Sequence, residues 1–511
     1  LFFLRKQTLA HGLWLLLLAL GPLAPGQAAE RLTLRIGGLE LPLELQQLED
    51  WVHQPQRNRE LGPWLNLLEP GPRRDLLRLL QQPLPLQGNS IGPLLDSWAG
   101  QQLVQQLGTL LRPPEQEGGP LLLDLLRQNN NINALALLRA APTPSLRLDL
   151  DAITELGFRL RGQLQRQLAL QRSLRALELP PVPPEPEALG PVAHQNLQLA
   201  VAHRPTALPL ELWWPQGRPF RRHWVLLSHG LGGSSDQLGW WARGLAAQGW
   251  PVLAVQHSGS DGEAVRGLLE GRQRLPGMET LPDRLLDLQA VTAALETGKL
   301  SFGPSSAPQR FVLAGHSLGG LSDLLWAGAE LQPGLDQRCQ RALRSIPVLD
   351  SSFLLQCQLT AIPLAPPSPP PQLDGVMVLN GFGSLLWANQ GLRPLTLPVL
   401  MVGGSLDLIT PPATEQLEPF RQLQNSNSRL ALVEGASHFS PVRLEREQPL
   451  MQFGEDLVGK DPLQVQALLL ELQSRFLASL EAGTPPPVGK YVEGKVRAFV
   501  LDRSLVNRLH F

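Results

Sequence analysis

The serine within Gly315-His316-Ser317-Leu318-Gly319-Gly320 is the residue of this chain best placed to do chemistry. It follows the apolar run Phe311-Val312-Leu313-Ala314 and precedes a helical pattern over residues 321–331. A strand ending in so tight a turn holds its serine at the tip, and small residues on both sides let strand and helix approach. The N-terminus of the following helix then offers unpaired backbone N–H groups to a developing oxyanion. In a chain with 47 glycines the pattern alone is weak, so its weight comes from this strand–turn–helix context.

A serine hydroxyl becomes a useful nucleophile only when a base takes its proton, and that base needs a partner to fix its tautomer. Two downstream segments supply these types in the order acid, then histidine. Residues 397–407 read as a strand, at 399–402, followed by a turn that carries Asp407, with Pro411-Pro412 closing the loop. Residues 430–433 read as the next strand, with His438 in its turn. Asp407 alone is an ordinary turn or capping aspartate, and His438 alone is one of 10 histidines. Their order at the ends of consecutive strands makes them the expected acid and base. Glu434 is the second choice of acid but falls in or beside a strand, and Asp350 is a poorer candidate. His316 reads as packing within the turn.

An oxyanion needs a second donor besides the Leu318 N–H. The loop His229-Gly230-Leu231-Gly232-Gly233 follows the apolar run 224–228, and its glycines let backbone approach a substrate. The Leu231 N–H is the expected donor, and His229 reads as a residue that fixes the loop. Neither G-x-G-x-x-G nor a following Gly-Lys-Ser/Thr is present, which argues against a phosphate loop. His257, at the end of the next strand, is expected to line the pocket without a catalytic role.

Several elements must hold these residues. The length of 511 residues suggests two domains, and 43% hydrophobic content supports a buried core. A net charge of −1 and one tyrosine, Tyr491, give no electrostatic or stacking case for nucleic acid. Residues 1–28 read as a secretory leader, with Arg5 and Lys6, an apolar stretch at 13–20 and the small-x-small site Gly26-Gln27-Ala28. A membrane anchor is the competing reading, but the apolar run is short of about 20 residues. Cys339 and Cys357 are the only cysteines, and both a disulfide and a reduced apolar pair remain open.

Residues 32–36 and 39–45 read as a hairpin around Gly37-Gly38, and residues 46–141 as short leucine-rich helices between breakers. The domain at 30–180 is therefore expected to be mainly helical, with a structural or lid-like role set against ligand binding. A longer helix is expected over 151–177, and the proline-rich segment 181–190 reads as a stiff linker. Over 191–511 the pattern becomes strand–helix alternation, with strands at 197–202, 208–213, 224–228, 252–256, 310–314, 375–379, 399–402 and 430–433. Helices are expected at 237–248, 284–297, 318–331 and 415–424. Short apolar strands alternating with helices predict a mostly parallel α/β sheet covered on both faces. Some forty residues, 333–373, break the rhythm with both cysteines and a proline-rich run. They read as a lid or acyl-binding wall over the serine, with a surface loop as the alternative.

Three segments resemble a known family. Residues 228–233 (Ser-His-Gly-Leu-Gly-Gly), 249–257 (Gly-Trp-Pro-Val-Leu-Ala-Val-Gln-His) and 315–320 resemble the platelet-activating-factor acetylhydrolase and dienelactone-hydrolase-like branch of the α/β-hydrolases. The whole chain also resembles cyanobacterial exported hydrolases with a helical N-terminal domain of unknown function. Residues 355–358, 437–440 and 457–462 are similar to that group. In the acetylhydrolases the acid follows the strand after the serine's helix, where this chain has Leu379-Asn380. Asparagine supplies no carboxylate, so the resemblance implies Asp407, one strand later, as in the dienelactone-hydrolase-like enzymes. It implies an α/β-hydrolase fold and carboxylic-ester hydrolysis, with phospholipid, soluble ester and polyester all open as substrate.

The resulting expectation is an exported serine esterase, periplasmic or secreted, with catalytic Ser317, Asp407 and His438 and oxyanion donors Leu231 and Leu318. It needs no metal or organic cofactor, acts on a small-molecule or lipid-like ester, and admits contact with a membrane surface. An amide or thioester hydrolase on the same residues, or a catalytically silent binding protein of the same fold, are the alternatives.

Overall fold

The structure, a computed structural model, describes residues 28–55, 61, 70–82, 91–128, 133–185, 189–303, 307–344, 350–443 and 459–509. Residues 1–27, where the leader is expected, lie outside the described residues. The chain divides into two compact units. One takes the described residues up to Leu95 together with Gly100–Glu155, the other Asp96–Ala99 and Leu156–Phe511.

The first unit carries the expected helices, among them Leu45–His53, Pro70–Gln81, Gly118–Gln128 and Ala134–Arg139. The hairpin is present as β1 (Arg31–Ile36) and β2 (Leu39–Glu44). Two further strands were not anticipated: β3 (Leu111–Arg112) and β4 (Ser145–Asp149) complete a sheet of order β2-β1-β4-β3. β4 runs parallel to β1 although some 114 residues separate them, so no local pattern announces the pairing. Leu32, Trp51, Leu125 and Leu146 meet in its core.

The second unit holds one large sheet. Its strands are β5 (Val192–Leu199), β6 (Leu208–Pro215), β7 (His223–Ser228), β8 (Val252–Val255), β9 (Arg310–His316), β10 (Leu373–Leu379), β11 (Val399–Gly404), β12 (Arg429–Val433), β13 (Gly489–Glu493) and β14 (Val496–Leu501). Their order is β13-β14-β12-β11-β10-β9-β7-β8-β6-β5. From β8 to β12 every neighbour is parallel, and antiparallel pairs close both edges. β7, β8, β10, β11 and β12 are apolar along nearly their whole length, as strands buried on both faces must be. Alternate residues serve opposite faces. Leu226, Leu313, Val378 and Met401 pack with the helices Leu281–Glu296 and Leu318–Trp326. Val225, Val312, Met377 and Val402 pack with Gly239–Ala247 and Pro462–Ala482. This is the α/β-hydrolase fold, preceded by a mainly helical N-terminal region.

Two features differ from the expected organisation. The division between units falls inside the helix Leu150–Ala176, ahead of the proline-rich segment, because Leu170 and Leu174 are buried in the main core of the second unit. The start of this segment is docked: the Val182 N–H donates to the Lys490 carbonyl at 2.9 Å, and the Lys490 N–H donates to that of Pro180 at 2.8 Å. β13 and β14 extend the sheet past β12 and bury Tyr491, whose hydroxyl donates to the Pro487 carbonyl. Among the described residues no helix is long and apolar enough to cross a membrane.

Candidate active site

Ser317 stands between the end of β9 and the helix Leu318–Trp326, with φ 53° and ψ −118°. A non-glycine residue at positive φ costs on the order of 1–3 kcal/mol and persists only where its surroundings over-determine it. Here the Ser317 N–H donates to the Leu379 carbonyl at 2.9 Å, and three glycines hold the turn closed. A Cβ at Gly320 would stand 2.6 Å from Val378 Cγ1, and one at Gly319 would run into the backbone of Ser228. Gly319→Ala is therefore expected to cost about 1–3 kcal/mol in urea unfolding. Gly157→Ala, at a helical position with nothing within 4 Å, should be neutral or stabilising by about 0.5–1 kcal/mol.

The structure brings Ser317, His438 and Asp407 together from three strand ends. His438 Nε2 lies 3.1 Å from Ser317 Oγ, and His438 Nδ1 lies 2.9 Å from Asp407 Oδ2. All three side chains are buried. Asp407 Oδ1 accepts the N–H groups of Ile409 and Thr410 at 2.9 and 2.8 Å, and Oδ2 also accepts the Thr410 hydroxyl at 2.7 Å. A carboxylate oxygen accepts rather than donates, so this pairing favours the ring tautomer with its proton on Nδ1 and the Nε2 lone pair towards Ser317. That is the arrangement needed to take a proton from a hydroxyl. Thr410 was missed in the sequence, where only its position three residues after the aspartate could have signalled it.

The histidine's own loop is held by two side chains. Asn380 Nδ2 donates to the carbonyls of Ser437 and His438 at 3.1 and 3.2 Å, and His316 Nε2 donates to the His438 carbonyl at 2.9 Å. A carboxylate at position 380 would face those two oxygens with no proton to offer, which explains physically why an amide suits this place. Burial, with a smaller contribution from His438, lowers the His316 pKa to about 3 and keeps the ring neutral. A base depressed in the folded state contributes stability above its unfolded pKa of about 6.5 and loses it as pH falls towards 3. The stability lost between pH 7 and pH 5, read by urea unfolding, should therefore be smaller by about 2 kcal/mol in His316→Gln than in wild type, since the unfolded imidazole gains its proton only below about pH 6.5.

On the other side of Ser317, a Cβ at Gly230 would lie 3.1 Å from the serine Cβ, so the glycine loop runs beside the hydroxyl. The N–H groups of Leu231 and Leu318 have no acceptor among the described residues. His229 does fix the loop: its Nδ1 donates to the Gly230 carbonyl at 2.7 Å while Nε2 accepts the His257 N–H at 2.9 Å. His257 is fully buried. It bonds Asp287 Oδ2 at 2.8 Å, its Nε2 lies 3.4 Å from Ser228 Oγ, and burial lowers its pKa to about 4.

Behind this loop is a charged network that the sequence did not reveal. Arg284, wholly buried, donates to the His229 carbonyl, to Ser260 Oγ at 2.8 Å and to Ser322 Oγ at 3.3 Å. Burial lowers its pKa to about 9, with Asp287 and Asp323 opposing that shift. Asp287 is ionised: burial works against its charge, but hydrogen bonds from His257 and Arg204 hold it below the usual range. Asp323, also buried, is pushed well above it by desolvation.

The remaining candidates lie elsewhere. Glu434 pairs with Arg175 at 2.5 Å and Arg497 at 3.5 Å. Asp350 contacts the Asp407 loop through its backbone, with its N–H on the Leu408 carbonyl at 2.9 Å. Cys339 and Cys357 are joined by a disulfide between the insert helices Leu335–Ala342 and Ser352–Gln358. Among the described residues no group of histidine, cysteine and acidic side chains is arranged to hold a metal ion.

No curated protein matches the chain. Residues 28–149 match a family model described as an alpha/beta hydrolase of unknown function (DUF1400), and this description agrees with the α/β-hydrolase fold of the second unit.

Proposed function

We propose that the protein is an exported serine hydrolase of carboxylic esters. The observation that carries this reading is the hydrogen-bond chain from Ser317 Oγ through His438 to Asp407, at 3.1 and 2.9 Å. In it, Ser317 Oγ attacks the ester carbonyl while His438 Nε2 takes the hydroxyl proton. The Leu231 and Leu318 N–H groups hold the oxyanion, whose collapse expels the alcohol with the proton returned by His438. Water repeats the sequence on the acyl-serine and releases the acid. Asp407 stays ionised, holds the Nδ1 proton and stabilises the imidazolium. No metal or organic cofactor takes part. Export is supported by the leader-like residues 1–28 and by the disulfide, since such bonds persist in oxidising compartments. The substrate is a small-molecule or lipid-like ester.

Turnover of p-nitrophenyl esters from acetate to palmitate, with Ser317→Ala beside wild type, tests the reading and ranks acyl chains. Equal rates in the two proteins would overturn it. Labelling of Ser317 by a fluorophosphonate without ester turnover would point to an amide or thioester instead. Neither labelling nor turnover would mark a binding protein of this fold.

A further inference from the structure

We infer that the insert between the serine's helix and β10 positions the Asp407 carboxylate, acting through two peptide units shared by the backbone of Asp350–Ser352 and the aspartate's own loop. This rests on Asp407 being the acid of the proposed hydrolase. The Leu408–Ile409 peptide receives the Asp350 N–H on its carbonyl at 2.9 Å and gives its own N–H to Asp407 Oδ1 at 2.9 Å. The next peptide, Ile409–Thr410, receives the Ser352 N–H at 3.3 Å and gives its N–H to the same oxygen at 2.8 Å. In a trans amide the C=O and N–H point in opposite directions, so a donor seated on the carbonyl fixes the plane and polarises the N–H. Both backbone donors that orient Asp407 are thus set from behind by the insert.

The insert is itself tied down at this point. Asp350 has φ 64°, is 1% exposed, and its Oδ1 accepts the Ser352 hydroxyl at 2.5 Å. Gln356 Nε2 donates to Ser352 Oγ and to Glu415 Oε1, both at 3.0 Å, while Gln356 Oε1 accepts the Leu385 N–H at 2.8 Å. Glu415 in turn accepts the N–H groups of Gly383 and Ser384. Burial, and then the neighbouring Glu415, push the Asp350 carboxyl well above its ordinary value, which favours its neutral form. An asparagine has nearly the same shape and charge. Asp350 is a positioning residue, since its contacts reach Asp407 only through the intervening peptides.

The test uses the full oxidised chain and p-nitrophenyl butyrate. Asp350→Ala should lower kcat by about 10- to 100-fold with KM within about twofold, and Asp350→Asn should stay within about threefold of wild type. In an Asp407→Asn background Asp350→Ala should add less than about threefold, because the group it positions is gone. The low-field proton NMR resonance of His438 Nδ1–H should weaken or move in Asp350→Ala and persist in Asp350→Asn. Unchanged kcat in Asp350→Ala, or an undiminished loss in the Asp407→Asn background, would overturn the inference. If Asp350→Ala does not fold, Gln356→Leu carries the same expectations. If wild type hydrolyses no ester, the proposed function fails, while the resonance still decides the positioning: unchanged in Asp350→Ala, it would overturn it.

Discussion

Ser317→Ala is expected to lower kcat/KM for p-nitrophenyl butyrate by about 10⁴- to 10⁶-fold while leaving the urea midpoint near that of wild type. The large factor follows from geometry. Ser317 Oγ is the atom His438 Nε2 faces at 3.1 Å, and the turn holds it at φ 53° beside two backbone N–H groups that have no acceptor among the described residues. Without the hydroxyl no acyl-enzyme forms, and only oxyanion stabilisation of a water attack remains. Stability should change little because the side chain is small and the strain belongs to the backbone, which alanine must still adopt. A drop in kcat/KM accompanied by loss of folding would not count, so urea curves must accompany the kinetics.

Asp407→Asn should cost about 10⁴-fold in kcat at neutral pH, although it is nearly isosteric. The carboxylate's Oδ1 already accepts two backbone N–H groups, so the asparagine oxygen takes that place. Its NH2 then faces His438 Nδ1, where a proton acceptor stood before. The ring must answer with a lone pair on Nδ1 and a proton on Nε2, which points it at Ser317 as a donor. The base is lost by tautomer, not by displacement. Glu434→Gln is the control, expected within about twofold of wild type, because that side chain pairs with Arg175 and Arg497. A large loss in Glu434→Gln with little in Asp407→Asn would reverse the assignment of the acid.

What was legible in the sequence was what local pattern encodes. The apolar runs ahead of Ser317, Asp407 and His438 are strands buried under helices on both faces, so they read as short continuous apolar stretches, and their length and the glycines after them mark them as strands. Glycines at 315, 319 and 320 mark the turn because a Cβ at each would strike a neighbour. What was not legible depends on distant pairing. β4 finds β1 across the first unit, and β13 and β14 join the sheet only after the long helix Pro462–Ala482. Arg284 and Asp287, three residues apart, look like the solvent face of a helix, yet both are fully buried and serve the glycine loop. Asn380 stands in the sequence only as the place of a missing acid, whereas its amide donates to two carbonyls of a loop some 57 residues away. The insert's backbone contacts with the Asp407 loop leave no side-chain signature at all.

In the proposed mechanism one serine, activated by His438, does the chemistry. The most direct measurement is titration of the wild-type chain with a fluorophosphonate, following p-nitrophenyl butyrate hydrolysis and mapping the adduct by peptide mass spectrometry. One phosphonyl group per chain is expected, carried on Ser317, with ester hydrolysis falling in proportion to labelling and His438→Ala slow to label. Full hydrolysis remaining after stoichiometric labelling of Ser317, or loss of hydrolysis with the adduct on another residue, would contradict it.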